Sequence, residues 1–177
     1  QPEELTNFEL GFKSESENGR LRLSGAVFLL DWSDLQVQSN FLEDPTDISS
    51  AVERTLNAAE ASAQGLELEL TALVSQNLIA GFALGYLDAE FDSFDDALIK
   101  GNSTVVDLSG SALPLTPDLT MSASLEYNLP MGDSGFSGFV RGEWSYRSET
   151  ASNLEAVASK AGLLSLPKFP YQLEAYH

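Results

Sequence analysis

The sequence predicts an all-β chain: an antiparallel, up-and-down sheet of about six strands, of the kind that forms a segment of a transmembrane β-barrel. Three observations point there. Apolar and polar residues alternate with period two along six stretches. The connections between those stretches alternate strictly between short and long. And the apolar run Leu78–Leu87 has the length of a tilted membrane-crossing strand, about 9–11 residues, while being far too short for a spanning helix.

The strands follow in order. In Thr6–Lys13, Phe8, Leu10 and Phe12 share one face and Asn7, Glu9, Gly11 and Lys13 the other. Arg20–Asp31 sets Leu21, Leu23, Val27 and Leu29 against Arg20, Arg22 and Ser24. Gln64–Ala72 alternates most cleanly, with Leu66, Leu68 and Leu70 opposite Glu67, Glu69 and Thr71. Leu78–Leu87 alternates by size, Phe82, Leu84 and Tyr86 against Gly81, Ala83 and Gly85. Leu119–Leu129 sets Leu119, Met121, Ala123, Leu125 and Tyr127 against Thr120, Ser122, Ser124, Glu126 and Asn128. Gly138–Arg147 sets Val140, Trp144 and Tyr146 against Arg141, Glu143 and Arg147.

Between them, Ser14–Gly19, Val74–Asn77 and Pro130–Gly135 are turn-like, the first closing on the Asn18-Gly19 hairpin signal. Ser33–Ser62, Asp88–Asp118 and Ser148–Lys168 are long, beyond the 12–15 residues or so that compact domains usually tolerate in a loop. Within the first of these, Ser50-x-x-Glu53 has the form of a capping box. Ile48, Val52 and Leu56 follow at helical spacing, so a short helix is expected in Asp47–Ala63. A second is expected in Asn153–Leu164. Aromatics fall toward strand ends (Phe28, Trp32, Tyr86, Phe91, Tyr127, Trp144, Tyr146), where interface girdles would place them. A soluble β-sandwich also alternates, so a secreted or surface β-domain binding carbohydrate or another ligand through its loops is the competing reading.

Composition narrows the function. Across 177 residues, 27 acids against 9 bases give a net charge of -18, which disfavours a nucleic-acid partner. There is no cysteine, hence no disulfide framework, thiol nucleophile or Cys-built zinc site, and the single histidine is His177 at the end of the chain. Catalysis, a cofactor and a metal site are accordingly not expected. Neither Gln1-Pro-Glu-Glu4 nor Tyr176-His177 has the character of a natural terminus, so a segment of a longer protein is expected.

The word order resembles one family. Pro2-Glu3-Glu4 with Asn7-Phe-Glu-Leu-Gly-Phe-Lys13 is similar to a strand motif opening the last third of the barrel in TonB-dependent outer-membrane receptors. The likeness continues through Leu21-Arg-Leu-Ser-Gly-Ala-Val-Phe28 with Asp31 and Asp34. Asn57-Ala-Ala-Glu-Ala-Ser-Ala-Gln-Gly-Leu-Glu67 is its most specific stretch. Gly85-Tyr-Leu-Asp-Ala-Glu-Phe91, Asp107-Leu-Ser-Gly110, Leu113-Pro114, Pro117, Tyr127 and Tyr146-Arg-Ser148 complete it in family order. The resemblance implies a barrel of about 22 strands around a plug, with residues 1–177 a partial barrel from which the plug and final strands are absent. It implies residence in the outer membrane of a Gram-negative bacterium and energised uptake of a scarce ligand (ferric siderophore, haem, cobalamin or saccharide). The partners it implies are outer-membrane lipid and the TonB system, the latter engaged through parts outside this chain. It also orients the sheet, short turns periplasmic and long loops extracellular. Phe8, Leu10, Leu66, Leu68, Leu70, Phe82, Leu84 and Leu125 would then face lipid, and Glu9, Lys13, Glu67, Glu69, Thr71, Glu126, Arg141 and Glu143 the lumen.

Other candidates for chemistry read as surface. Glu67 and Glu69 share a strand face but have no His, Cys or designated nucleophile beside them, so a wet wall explains them better than acid–base work. Neither Glu43, Asp44 and Asp47 nor Asp92, Asp95 and Asp96 has the Gly-punctuated spacing of a calcium loop. Gly132–Gly138 precedes no lysine or helix and reads as a hairpin turn, not a phosphate cradle. The acids of the first two long loops serve solubility and repulsion of neighbours, or else form a cation-tolerant funnel whose focused negative field disfavours anionic ligands.

Overall fold

The computed structural model describes residues 2–42, 50–94, 97–98, 105–132 and 135–163. Its strands are β1 (Glu4–Glu15), β2 (Leu21–Leu42), β3 (Ala51–Leu73), β4 (Leu78–Ser93), β5 (Ala97–Leu98), β6 (Val105–Val106), β7 (Leu119–Pro130) and β8 (Ser137–Arg147). One helix, α1 (Leu154–Lys160), follows them. Six strands form one antiparallel sheet in the order β1-β2-β3-β4-β7-β8, and β5 and β6 pair separately. Every neighbour in the large sheet is also the next large-sheet strand in sequence, so the topology is up-and-down, as the alternation predicts. The sheet is open, with β1 and β8 at its two edges.

The first turn forms where Asn18-Gly19 marks it. Gly19 takes φ +66, in the left-handed region that glycine enters without steric cost. Its N–H donates to the Ser16 carbonyl at 2.8 Å, and the Ser16 N–H donates to the Leu21 carbonyl at 2.9 Å. Asn18 Oδ1 accepts from the Ser16 hydroxyl at 2.8 Å and from the Arg20 N–H at 3.1 Å. The neighbouring turn is tied to the first one. Arg20 extends its guanidinium across to the β3 end, where Nε donates to the Leu73 carbonyl at 3.0 Å and Nη2 to the Val74 carbonyl at 2.8 Å.

The first long connection departs from expectation. Ser33–Ser62 is mostly strand: β2 continues to Leu42 and β3 begins at Ala51. The two pair residue by residue from Leu42↔Ala51 to Gln36↔Asn57, then across a bulge to Trp32↔Ala61. Asp34 sits at that bulge with φ 55. The helix expected in Asp47–Ala63 is therefore corrected to a strand from Ala51 onward; Asp47–Ser49 lie outside the described residues. The physical reason lies in its alanines. Alanine favours a helix in isolation, but propensity differences are below about 1 kcal/mol per residue and yield to tertiary pairing. Here every second residue, Ala59, Ala61 and Ala63, is buried while Glu60 and Gln64 are exposed, a period of two. β4 likewise runs to Ser93, six residues beyond Leu87. Of the second long connection, 107–118 lies beside the end of β4, Leu113 N donating to the Ala89 carbonyl at 2.9 Å and Phe91 N to the Ser111 carbonyl at 2.9 Å.

The helix expected in Asn153–Leu164 is present as α1. Asn153 caps it, its side chain accepting from Ala156 N at 2.8 Å. The buried cluster sits at the loop end of the sheet: Ala59, Ala61, Phe91, Phe94, Val106, Leu108, Val157 and Ala158. Trp32, Leu35 and Leu154 pack against it. The rings of Phe91 and Phe94 meet at 5.1 Å and a 52° tilt.

Candidate functional site: a two-faced wall

Directly paired residues of an antiparallel sheet project to the same side. The register therefore sorts every expected site residue without ambiguity. One row runs Gly11–Ala26–Glu67–Gly85–Thr120–Arg147 and the next Lys13–Ser24–Glu69–Ala83–Ser122–Ser145. Glu9 lies in the row above them, Thr71 and Glu143 in the row below, and Glu126 pairs with Arg141 lower still. This face borders an open trough of about 950 Å³, lined among others by Glu9, Lys13, Glu67, Glu69 and Arg147. On the opposite face the rows run Leu10–Val27–Leu66–Tyr86–Leu119, Phe12–Gly25–Leu68–Leu84–Met121–Tyr146 and Leu23–Leu70–Phe82–Ala123–Trp144. Phe8 and Leu125 belong to that same apolar face. Each group expected to share a face does so, and no residue crosses over.

The trough face is polar and nearly balanced in charge. Arg22 Nε lies 3.2 Å from Glu15 Oε2. Arg141 bridges two acids, Nε donating to Glu143 Oε1 at 2.7 Å and Nη1 lying 3.5 Å from Glu126 Oε2. Its small residues keep the wall open. Thr120 and Ser124 lean their hydroxyls over Gly85 and Gly81, where an added Cβ would come within 2.8 and 2.7 Å. Such a surface can hold water and polar groups. Among the described residues no three ligating side chains converge on a point where a metal ion could sit.

The apolar face is bare. Phe8 is 69% exposed, Leu10 75% and Leu125 56%. A β-sandwich requires a second sheet over Leu66, Leu68 and Leu70; among the described residues Val106, Leu108, Val157 and Ala158 instead belong to the same buried cluster as Ala61 and Phe91, which the register puts on the trough face. Among the described residues no helix is long and apolar enough to cross a membrane, which leaves strands unaffected.

Two expectations about side-chain placement need correction. Phe28, Trp32 and Phe91 do not join an outer aromatic girdle: Phe28 pairs with Gly65 and Trp32 with Ala61, both on the trough face, and Phe91 is buried in the cluster. Strand alternation decides this, since each lies an even number of residues from a trough-facing partner on its own strand. Tyr86, Tyr127, Trp144 and Tyr146 do lie on the apolar face, with Trp144 and Tyr146 stacked at 6.4 Å. The acids expected to build a negative funnel also divide. Asp88, Glu90 and Asp92 belong to β4 and project, with Asp31 and Glu60, to the apolar side beyond its upper rim. There Ser62 donates to Asp92 at 2.8 Å and Gln64 to Asp88 at 3.1 Å. Glu43, Asp44, Asp47, Asp95, Asp96 and Lys100 lie outside the described residues. Asp107 is a local turn acid: side-chain and backbone hydrogen bonds from Ser109 hold its carboxyl below the usual carboxylate range.

Periodicity already set Arg147 on the polar face with Arg141 and Glu143, and the register adds it to the trough. Two further contributors escaped sequence reasoning. Arg20's clasp on the adjacent turn and the α1 contribution to the cluster have no local signal, because their partners are remote in sequence.

Comparison with known proteins follows the same lines. A family model described as TonB dependent receptor-like, beta-barrel, matches residues 1–168. Among solved structures, one described as the copper transporter OprC superposes with a TM-score of 0.53 at 18% identity, covering 72% of this chain and 16% of its own. The FrpB iron transporter from Neisseria meningitidis (F3-3 variant) superposes with a TM-score of 0.50 at 20% identity, covering 80% of this chain and 18% of its own. The chain thus spans less than a fifth of the length of either.

Proposed function

This chain belongs to the TonB-dependent receptor β-barrel family, and on that premise we propose that it forms one sector of the wall of an outer-membrane uptake receptor. The observation that carries the reading is the two-faced sheet, one face apolar and bare, the other polar and bordering a trough. A bare apolar sheet of this kind is stable where hydrocarbon covers it, and its polar reverse where water or a protein plug does. Phe8, Leu10, Leu66, Leu68, Leu70, Phe82, Leu84 and Leu125 accordingly face lipid. Glu9, Lys13, Glu67, Glu69, Thr71, Glu126, Arg141, Glu143 and Arg147 face the lumen. The turns at Asn18-Gly19 and Ser75-Gln76 are periplasmic, and the loop ends of β2 and β3, the 105–118 segment and α1 are extracellular.

The whole receptor takes up a scarce ligand across the outer membrane, driven through TonB by parts of the protein outside this chain. The named functions of the two structural neighbours, copper and iron transport, favour a metal-bearing ligand over a saccharide. The test is uptake of radiolabelled iron and copper by cells with and without the full-length gene, after fractionation has located its product. Recovery in the outer-membrane fraction with loss of either uptake on deletion is the expected result. A product that fractionates as a soluble protein would overturn the reading.

A further inference from the structure

Asn18-Gly19 is the only Asn-Gly pair in the sequence, and it carries a reactivity that its role as a turn does not use. In a free chain the backbone nitrogen after an asparagine attacks the side-chain carbonyl carbon, and glycine, with no side chain in the way, permits the closest approach. Here Gly19 N would form a bond to Asn18 Cγ while the Cγ–Nδ2 bond breaks. Ammonia leaves, taking up the proton that Gly19 N gives away. Water then opens the cyclic imide at one carbonyl or the other, leaving aspartate or isoaspartate at position 18. Both residues are exposed, so water reaches them.

In the folded turn each reacting atom is already engaged. Gly19 N–H donates to the Ser16 carbonyl at 2.8 Å, so the nucleophile keeps its proton while the turn is closed. Asn18 Oδ1 accepts from the Ser16 hydroxyl at 2.8 Å and from Arg20 N–H at 3.1 Å, which fixes the carboxamide. Glu15 Oε1 stands 3.4 Å from the point where a Cβ on Gly19 would be, and its charge opposes an amide anion forming beside it. The two donors on Oδ1 would favour the negative oxygen of the tetrahedral intermediate. They act only after the nitrogen has lost its proton and reached Cγ, so the bond to Ser16 decides the rate.

We infer that Asn18 is a deamidation site, open in the unassembled chain and closed by the turn, so that aspartate or isoaspartate at this position marks chains that have stayed unfolded. The mark has a structural consequence. Isoaspartate routes the main chain through the former side-chain carbon and carries Gly19 N–H out of register with the Ser16 carbonyl. Arg20 follows directly. Its carbonyl accepts from Leu73 N at 2.7 Å, and its guanidinium holds the Leu73 and Val74 carbonyls at 3.0 and 2.8 Å. A chain with isoaspartate at position 18 therefore loses the corner that ties the first turn to the end of β3. None of this depends on which ligand the receptor carries.

The experiment uses the full-length protein, folded in detergent and, in parallel, unfolded in guanidinium chloride at the same mildly alkaline pH and temperature. Mass spectrometry of the peptide containing Asn18 follows loss of the amide, and enzymatic methylation counts isoaspartate. Modification at Asn18 should be about tenfold or more slower in the folded protein, because attack waits on local opening of the turn. Asn18→Gln, whose longer side chain must close a larger ring, should silence the signal in the unfolded chain. Chains modified while unfolded and then returned to detergent should refold poorly, with isoaspartate enriched in the fraction that migrates as unfolded without heating. Equal rates in the two states, or an unfolded chain that stays intact at Asn18, would overturn the site. Isoaspartate shared evenly between refolded and unfolded fractions would overturn its effect on assembly.

Discussion

The ring of Phe28 lies over Gly65 across the β2–β3 pair, filling the space where a Cβ on residue 65 would stand. The Tyr86 carbonyl on the next strand closes the same space from the other side, 2.5 Å from that point. A side chain here must displace both an aromatic ring and the backbone of β4. Gly65→Ala should therefore destabilise the barrel by about 1–3 kcal/mol, the usual cost of forcing atoms into a filled site. Phe28→Ala should partly relieve the Gly65→Ala variant, and a urea unfolding series of the two single variants and the double would show it. Simple additivity would mean that ring and glycine are not coupled.

Leu68 and Glu69 are adjacent and face opposite ways. Leu68→Arg should block assembly of the full-length protein in the outer membrane, because a cation at mid-depth on the lipid face costs about 2–4 kcal/mol. Glu69→Gln should assemble normally. Heat-modifiable migration of the outer-membrane fraction distinguishes the two, and equal tolerance would refute the face assignment.

Arg20 holds two carbonyls at the end of the neighbouring hairpin with a forked pair of donors. Arg20→Ala should cost about 1 kcal/mol or less, since the contact is exposed to solvent. Arg20→Lys should restore only part of it, because an ammonium cannot present the fork. Amide exchange at Leu73, whose N–H donates to the Arg20 carbonyl at 2.7 Å, reports on the junction. Unchanged protection in both variants would show that the clasp is incidental.

Asp107 links pH to its own turn with Ser109. Its carboxyl is held below the ordinary carboxylate range in the folded state, so its stabilising contribution is present above the ordinary value and is lost as pH falls through the folded one. The Ser109 amide, which donates to Asp107 Oδ1 at 2.9 Å, should follow this titration in an NMR series. Its midpoint should lie below that of an unperturbed Asp, and Asp107→Asn should abolish the transition.

Residues 1–177 made alone should neither close a pore nor remain a soluble monomer. Six strands fall short of the eight or so that close the smallest outer-membrane barrels, and β1 and β8 present unpaired edges. Size-exclusion chromatography in plain buffer should show association or loss to the pellet. A compact monomer with Leu66, Leu68 and Leu70 protected from exchange would favour a soluble domain instead.

By itself the sequence determined everything that depends on the period of the backbone. Alternation at Leu66–Leu70 and Glu67–Thr71 fixes two faces whatever lies beyond them, and Asn18-Gly19 fixes a turn through its own φ requirement. Six strands, their order and the membership of both faces follow from such local facts. Tertiary structure alone decided how far the strands run and what covers their upper ends. The Ala51–Ala63 stretch is compatible with helix or strand, and only pairing with Trp32–Leu42 on one side and of Ala61–Ala63 with Phe91–Ala89 on the other selects the strand. Those partners lie far along the chain or on the far side of a bulge. A short alanine side chain records nothing of them in sequence, because its burial gains little in either conformation until the packed neighbours are in place.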